Sequence, residues 1–187
     1  MAEPLKHLLD ADLVRRSAAH FRRHHAAFDH EGFVAAATTG LDALELKQRS
    51  LQIAGALERH LPADFGTAAA LIEATLAPPF ETEALGTMRV GDAGLAGWAL
   101  WPVGEFVVRR GLHDPVRALA LLRALTQRFT AEFAIRPFIV AHPALAFETL
   151  ARWVDDPNLH VRRLVSEGSR PRLPWGLRLQ ALVADPG

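Results

Sequence analysis

The sequence contains no cysteine. That excludes disulfides, thiol nucleophiles and thiolate zinc sites, and it suits a reducing, cytoplasmic compartment. Net charge is also lacking: 21 Lys and Arg balance 21 Asp and Glu. No global field therefore draws the chain to a polyanion, and any nucleic-acid contact must rest on local asymmetry. The opening MAEPLKHLLDADLVRR has no long apolar core of a signal peptide, and no run approaches a membrane span. Alternating β-branched runs are missing outside Phe106 to Val108. What remains is a half-hydrophobic chain of 187 residues with helical periodicity. It predicts one all-α domain over residues 1–187.

The local asymmetry lies late in the chain. From Arg152 to Arg178 six arginines face only Asp155, Asp156 and Glu167, a surplus of three, so the remainder is net acidic. Within HVRRLVSEGSRPRLPW, His160 to Trp175, a helix that turns Val161, Leu164 and Val165 inward holds Arg162 and Arg163 outward. Pro171 and Pro174 force the residues before them out of the α region, which sets Arg170 and Arg172 on a stiff, extended elbow. Rigidly held guanidinium groups suit phosphate.

The rest of the chain reads as punctuated helices. Asp12 is the expected N-cap of a helix to about Phe28, with Val14, Ala18, Phe21, His25 and Phe28 on one face. His20 and His24 have metal-ligand spacing but no third ligand nearby, so they read as solvated histidines. A helix from about Asp42 to His60 pairs Glu45 with Arg49 on its outside. Glycines 86, 91, 94 and 97 mark residues 80–97 as a long loop, and long loops are often functional. The following helix aligns Trp98, Trp101, Glu105 and Val108 on one face. Pro115, Pro143 and Pro174 each open a helix, and Pro157 opens one between the last two. Repeated helix pairs that share a continuous core predict an α-α superhelix, a HEAT-like helical solenoid.

Four segments then carry a resemblance: LELKQRS (Leu44 to Ser50), WPVGEFV (Trp101 to Val107), EFAIRPF (Glu132 to Phe138) and the arginine-proline motif. Together with PLKHLLDADLV near the start, they resemble the AlkC-type DNA alkylation-repair glycosylases over nearly the whole chain. The resemblance implies a solenoid whose basic concave face cradles duplex DNA containing alkylated bases. It implies hydrolysis of the N-glycosidic bond of cationic purines such as 3-methyladenine, without metal or cofactor, from a lesion left in the stack. The family continues past the arginine-proline motif into a further helical repeat that this sequence lacks. The chain is then a naturally short member, a fragment, or one that self-associates through the open end.

Alkylation at N3 or N7 makes the base cationic and already a good leaving group, so cleavage chiefly needs a carboxylate where positive charge grows on the sugar. Aromatic faces attract the same cation. Trp101 and Glu105, one turn apart, offer that pair, and Glu132 is a second carboxylate, four residues before Arg136. Arg136, Arg162, Arg163, Arg170 and Arg172 are the expected phosphate contacts, with Trp153 and Trp175 as aromatic contacts to DNA. Plainer readings stand beside these: tryptophans at helical spacing as core, Glu132 and Arg136 as an exposed helix pair, Glu167 as a brace for Arg163 and Arg170. A non-catalytic module that binds DNA or a protein partner is the alternative function.

Overall fold

The computed structural model describes residues 4–80 and 89–184; Gly86 and the last three residues, to which parts of the loop and open-end expectations refer, lie outside them. Among the described residues ten α-helices follow one another: α1 (Ala11–His24), α2 (His30–Thr38), α3 (Leu46–His60), α4 (Phe65–Thr75) and α5 (Leu100–Gly111), then α6 (Pro115–Thr126), α7 (Glu132–Ala141), α8 (Pro143–Trp153), α9 (Leu159–Gly168) and α10 (Gln180–Ala184). Among the described residues the only β pairing is two isolated bridges, Leu76 to Leu95 and Gly91 to Gly94. The fold is an all-α superhelix. No described helix is long and apolar enough to cross a membrane.

Helix boundaries follow local chemistry. Asp10 rather than Asp12 caps α1, its carboxylate accepting from Leu13 N–H at 2.8 Å. Asp12 instead pairs with Arg16 across the first turn at 2.7 Å. The helix stops at His24, yet the apolar row continues through buried Phe28, whose ring lies 5.3 Å from Phe21 and 5.4 Å from Phe33. Glu45 and Gln48 form a capping box at the start of α3. Residues 106–108 lie inside α5, which settles the strand alternative in favour of helix. Pro115 and Pro143 do open helices at the first helical position. Pro157 precedes the Asn158 cap of α9, while Pro174 opens no helix: the next one begins only at Gln180.

Helices α3, α5, α7 and α9 pack successively, each on the next, and form one continuous layer. Gly104 permits the tight α5–α7 contact, since a Cβ there would lie 3.2 Å from Ala134 Cβ. The layer has a bearing on function, because LELKQRS, WPVGEFV, EFAIRPF and the arginine-proline motif map to these four helices in order. Helix α4 packs on α1 and α6, and α8 covers α7 and α9.

The described part of the glycine-rich stretch is held against the body. Gly94 has φ 136°, and a side chain there would collide with Ala77 N at 2.5 Å and Thr75 O at 2.6 Å. Only glycine allows that approach. His20 corrects the solvated reading: it is buried, with Nε2 2.8 Å from Gly91 O. Arg23 also reaches across, donating to Asp92 O at 3.3 Å. Among the described residues no group of three or more His, Asp or Glu is arranged to hold a metal ion.

Candidate nucleic-acid interface

The elbow after α9 is built around one buried side chain. Arg136 is fully buried within α7, and its guanidinium donates to Gly168 O at 2.9 Å, Arg170 O at 2.7 Å, Pro171 O at 3.3 Å and Leu177 O. This corrects its expected phosphate contact. It also corrects the exposed Glu132–Arg136 pair, since no ion pair joins them and Arg136 is turned inward. Burial works against the guanidinium charge, and Glu132 partly offsets it. The four carbonyls supply the solvation that water would. Leu179 N–H closes the loop by donating to Pro171 O at 3.1 Å.

Arg49 does the same at the other end of the layer. It is buried, and it donates to Leu44 O at 3.0 Å and to Lys6 O and Leu9 O, both at 3.2 Å. Its expected partner Glu45 pairs with Lys6 instead, at 2.7 Å. Two of the four recognisable segments thus contribute an arginine that clamps backbone.

Held from beneath, the elbow presents Arg170, Arg172, Trp175 and Arg178 to solvent, with no acidic residue from Gly168 to Ala184. Arg170 is braced by Glu167 at 2.9 Å, as the plainer reading expects. On α9, Arg162 and Arg163 are exposed, and Arg162 donates to Asp156 O at 2.7 Å and Pro157 O at 3.0 Å. Arg178 did not stand out in the sequence, although its place three residues after Trp175 on an acid-free loop was the available signal.

Glu132 stands at the first position of α7, half-buried, on a small polar cavity of about 10 Å³ shared with Thr126, Thr130, His160, Arg163 and Glu167. Burial raises its carboxyl pKa; Arg163, Thr130 and Arg170 pull it back down, and Glu167 adds to the rise. A carboxyl raised on folding contributes stability that is fully present below its unfolded pKa, near ~4.3, and is lost as pH climbs through the folded value. Glu132→Gln should therefore gain on wild type in melting temperature as the pH rises above about 4.3. Parallel melting curves for the two chains would remove this account if both shifted alike.

The tryptophans divide. Trp101 is 7% exposed, which corrects its reading as the aromatic face offered to the cation, and it stacks on Phe133 with centroids 5.4 Å apart, continuing through Trp98 at 5.7 Å to Phe129 at 5.2 Å. Its Nε1–H is buried without a hydrogen-bond partner. Trp153, 8% exposed, belongs to the core and corrects its reading as a DNA contact; the Ala146, Leu150, Trp153 stripe of α8 explains why. Trp175 is 67% exposed. Glu105 is half-buried on α5 and makes no hydrogen bond or ion pair with a described residue.

Comparison with known proteins places this arrangement. No family model matches the chain. It is 34% identical over 185 residues to the uncharacterized protein YhaZ of Bacillus subtilis (strain 168), covering 97% of this chain and 47% of that protein. The fold superimposes on the Pseudomonas fluorescens alkylpurine DNA glycosylase AlkC, solved bound to DNA containing an abasic site analog. The TM-score is 0.84 at 31% identity, over 100% of this chain and 48% of that one. The chain spans about half the length of both proteins, and over its own whole length it is similar to that AlkC in sequence and fold.

Proposed function

We propose that the chain acts as a monofunctional DNA glycosylase, hydrolysing the N-glycosidic bond of cationic N-alkylated purines such as 3-methyladenine in duplex DNA. The observation that carries this reading is a division of charge along one helical layer: an unpaired carboxylate on α5, a desolvated one on α7, and an acid-free arginine elbow after α9. Arg172 and Arg178 serve as the foremost phosphate contacts, supported by Arg162, Arg163 and Arg170. Cleavage leaves the bonding electrons with the cationic base, which departs neutral, while positive charge builds on the sugar. Glu105 stabilises that charge, with no cation among the described residues paired to it. Glu132, on a polar cavity of about 10 Å³, orients the water that adds to the anomeric carbon. Its carboxylate takes up the proton that the water releases. Trp101 backs the site as part of the aromatic row.

The test is release of free 3-methyladenine from methylated duplex DNA by the full chain, followed by chromatography alongside a duplex-binding titration. Release with binding is expected. Binding without release favours the second reading, a non-catalytic DNA-binding module, and neither result overturns both.

A further inference from the structure

The elbow carries a backbone feature that phosphate binding alone does not require. Trp175 has φ 63°, and it is the only non-glycine among the described residues in the left-handed region. A bulky side chain is disfavoured there, and Gly176 stands immediately beside it, where that conformation would be free. Strain of this kind persists only where the surroundings impose it. Here they do: Gly176 N–H donates to Leu173 O at 3.1 Å, and Arg136 grips the carbonyls of residues 168, 170, 171 and 177 on both sides of the turn. A Cβ on Gly176 would lie 3.4 Å from Arg136 Cδ, so the clamp passes against the turn at the residue after the tryptophan.

The outcome is a large indole with two-thirds of its surface in water, three residues from both Arg172 and Arg178, with no hydrogen bond or ring contact to a described residue. Aromatic faces between arginines that follow a phosphate backbone form the arrangement on which nucleobases stack. Apolar side chains inserted at a base step also unstack and kink duplexes.

We infer that Trp175 is a stacking residue, held in its strained conformation by the Arg136 clamp, whose ring occupies an opened base step in the duplex while Arg172 and Arg178 hold the flanking phosphates. Arg136 is accordingly a positioning residue and not itself a contact. This rests on the DNA reading above but adds to it a base contact that the phosphate-bound arginines do not supply. A step next to an abasic site has a base with one open face, so it is the best receptor for the ring.

The chain contains no tyrosine and four tryptophans, and Trp98, Trp101 and Trp153 are half-buried or buried. Trp175 therefore dominates the solvent-exposed emission. Titration of the full chain with a duplex carrying a tetrahydrofuran abasic analogue should quench that emission, and Trp175→Phe should bind with nearly wild-type affinity but without the quench. Trp175→Ala should lose about 5- to 150-fold in affinity, the range for one stacked base. Trp175→Gly relieves the strain, so it should lose affinity in the same way while its Tm rises by roughly 2–8 °C. Unchanged emission at saturation, or a Trp175→Ala chain that binds as tightly as wild type, overturns the inference while leaving the DNA reading standing. A Trp175→Gly chain with no rise in Tm overturns the strain argument. Failure of the wild type to bind the duplex removes the DNA reading as well.

Discussion

Arg136→Met is expected to destabilise the chain by about 3 kcal/mol or more and to release the elbow. The guanidinium satisfies four carbonyls at positions 168, 170, 171 and 177 from a fully buried position. Methionine fills similar space but donates nothing, and each buried acceptor left unpaired costs about 1–3 kcal/mol. Some of that is recovered if the loop peels away and its carbonyls find water. The total therefore stays well below four times the single-group value, and the melting temperature should fall by about 6–12 °C for a chain of this size. Peeling also has a local signature. Trypsin should cut after Arg172 and Arg178 in the variant much faster than in the wild type, whereas Arg170 is shielded by the following Pro171. Lysine should not rescue the defect, because three donors on one flexible ammonium cannot reproduce a planar fork that spans both arms of a loop. Wild-type melting and wild-type digestion in Arg136→Met would show that the clamp contributes nothing.

This residue also shows where sequence reasoning succeeds and where it stops. Helical periodicity, proline placement and the lack of alternating β-branched runs suffice for an all-α fold, since those features act locally and declare themselves within a turn or two, whereas the superhelical arrangement rests on the family resemblance. Pro115 and Pro143 start helices as expected because proline at the first helical position loses no hydrogen bond. Pro174 fails that rule because long-range contacts override it: the carbonyls around it are already committed to Arg136, thirty-five residues or more away from Pro171 and Leu177. The direction of an arginine was the other weak point. Helical spacing predicts surface charges at Arg49 and Arg136, yet after Glu132 helix α7 reads FAIRPFIVA and offers Arg136 no other polar neighbour. One charge set among apolar residues for the rest of its helix is more consistent with a buried clamp than with a phosphate ligand. The elbow itself was legible, because prolines constrain their own neighbours. Trp175 was recognisable as an aromatic beside arginines, but its left-handed backbone was not, since tryptophan carries no preference for that region.

The clearest division of roles is expected between the two carboxylates. Glu105→Gln should lower the rate of 3-methyladenine release by about 10²–10³-fold, the typical effect of removing one preorganised group that faces transition-state charge. It should leave duplex affinity and melting temperature nearly unchanged, because Glu105 makes no hydrogen bond or ion pair with a described residue that its loss would break. Glu132→Gln should behave differently. Its charge is opposed by burial and drawn on by Arg163 and Arg170, so less of it is left to act on a distant cation. Water activation is also less demanding when the leaving group is cationic, so the loss should fall below the ~10²-fold lower limit typical of general-base catalysis. The two variants therefore separate on two axes at once. Glu105→Gln changes rate without stability, while Glu132→Gln changes the pH dependence of stability with a smaller loss of rate. Single-turnover release and melting curves on the same preparations measure both. If Glu132→Gln abolishes release and Glu105→Gln stays within about threefold of wild type, well short of the effect of one such group, the roles are exchanged: the carboxylate next to Arg163 carries the sugar's charge, and the unpaired one on α5 does not.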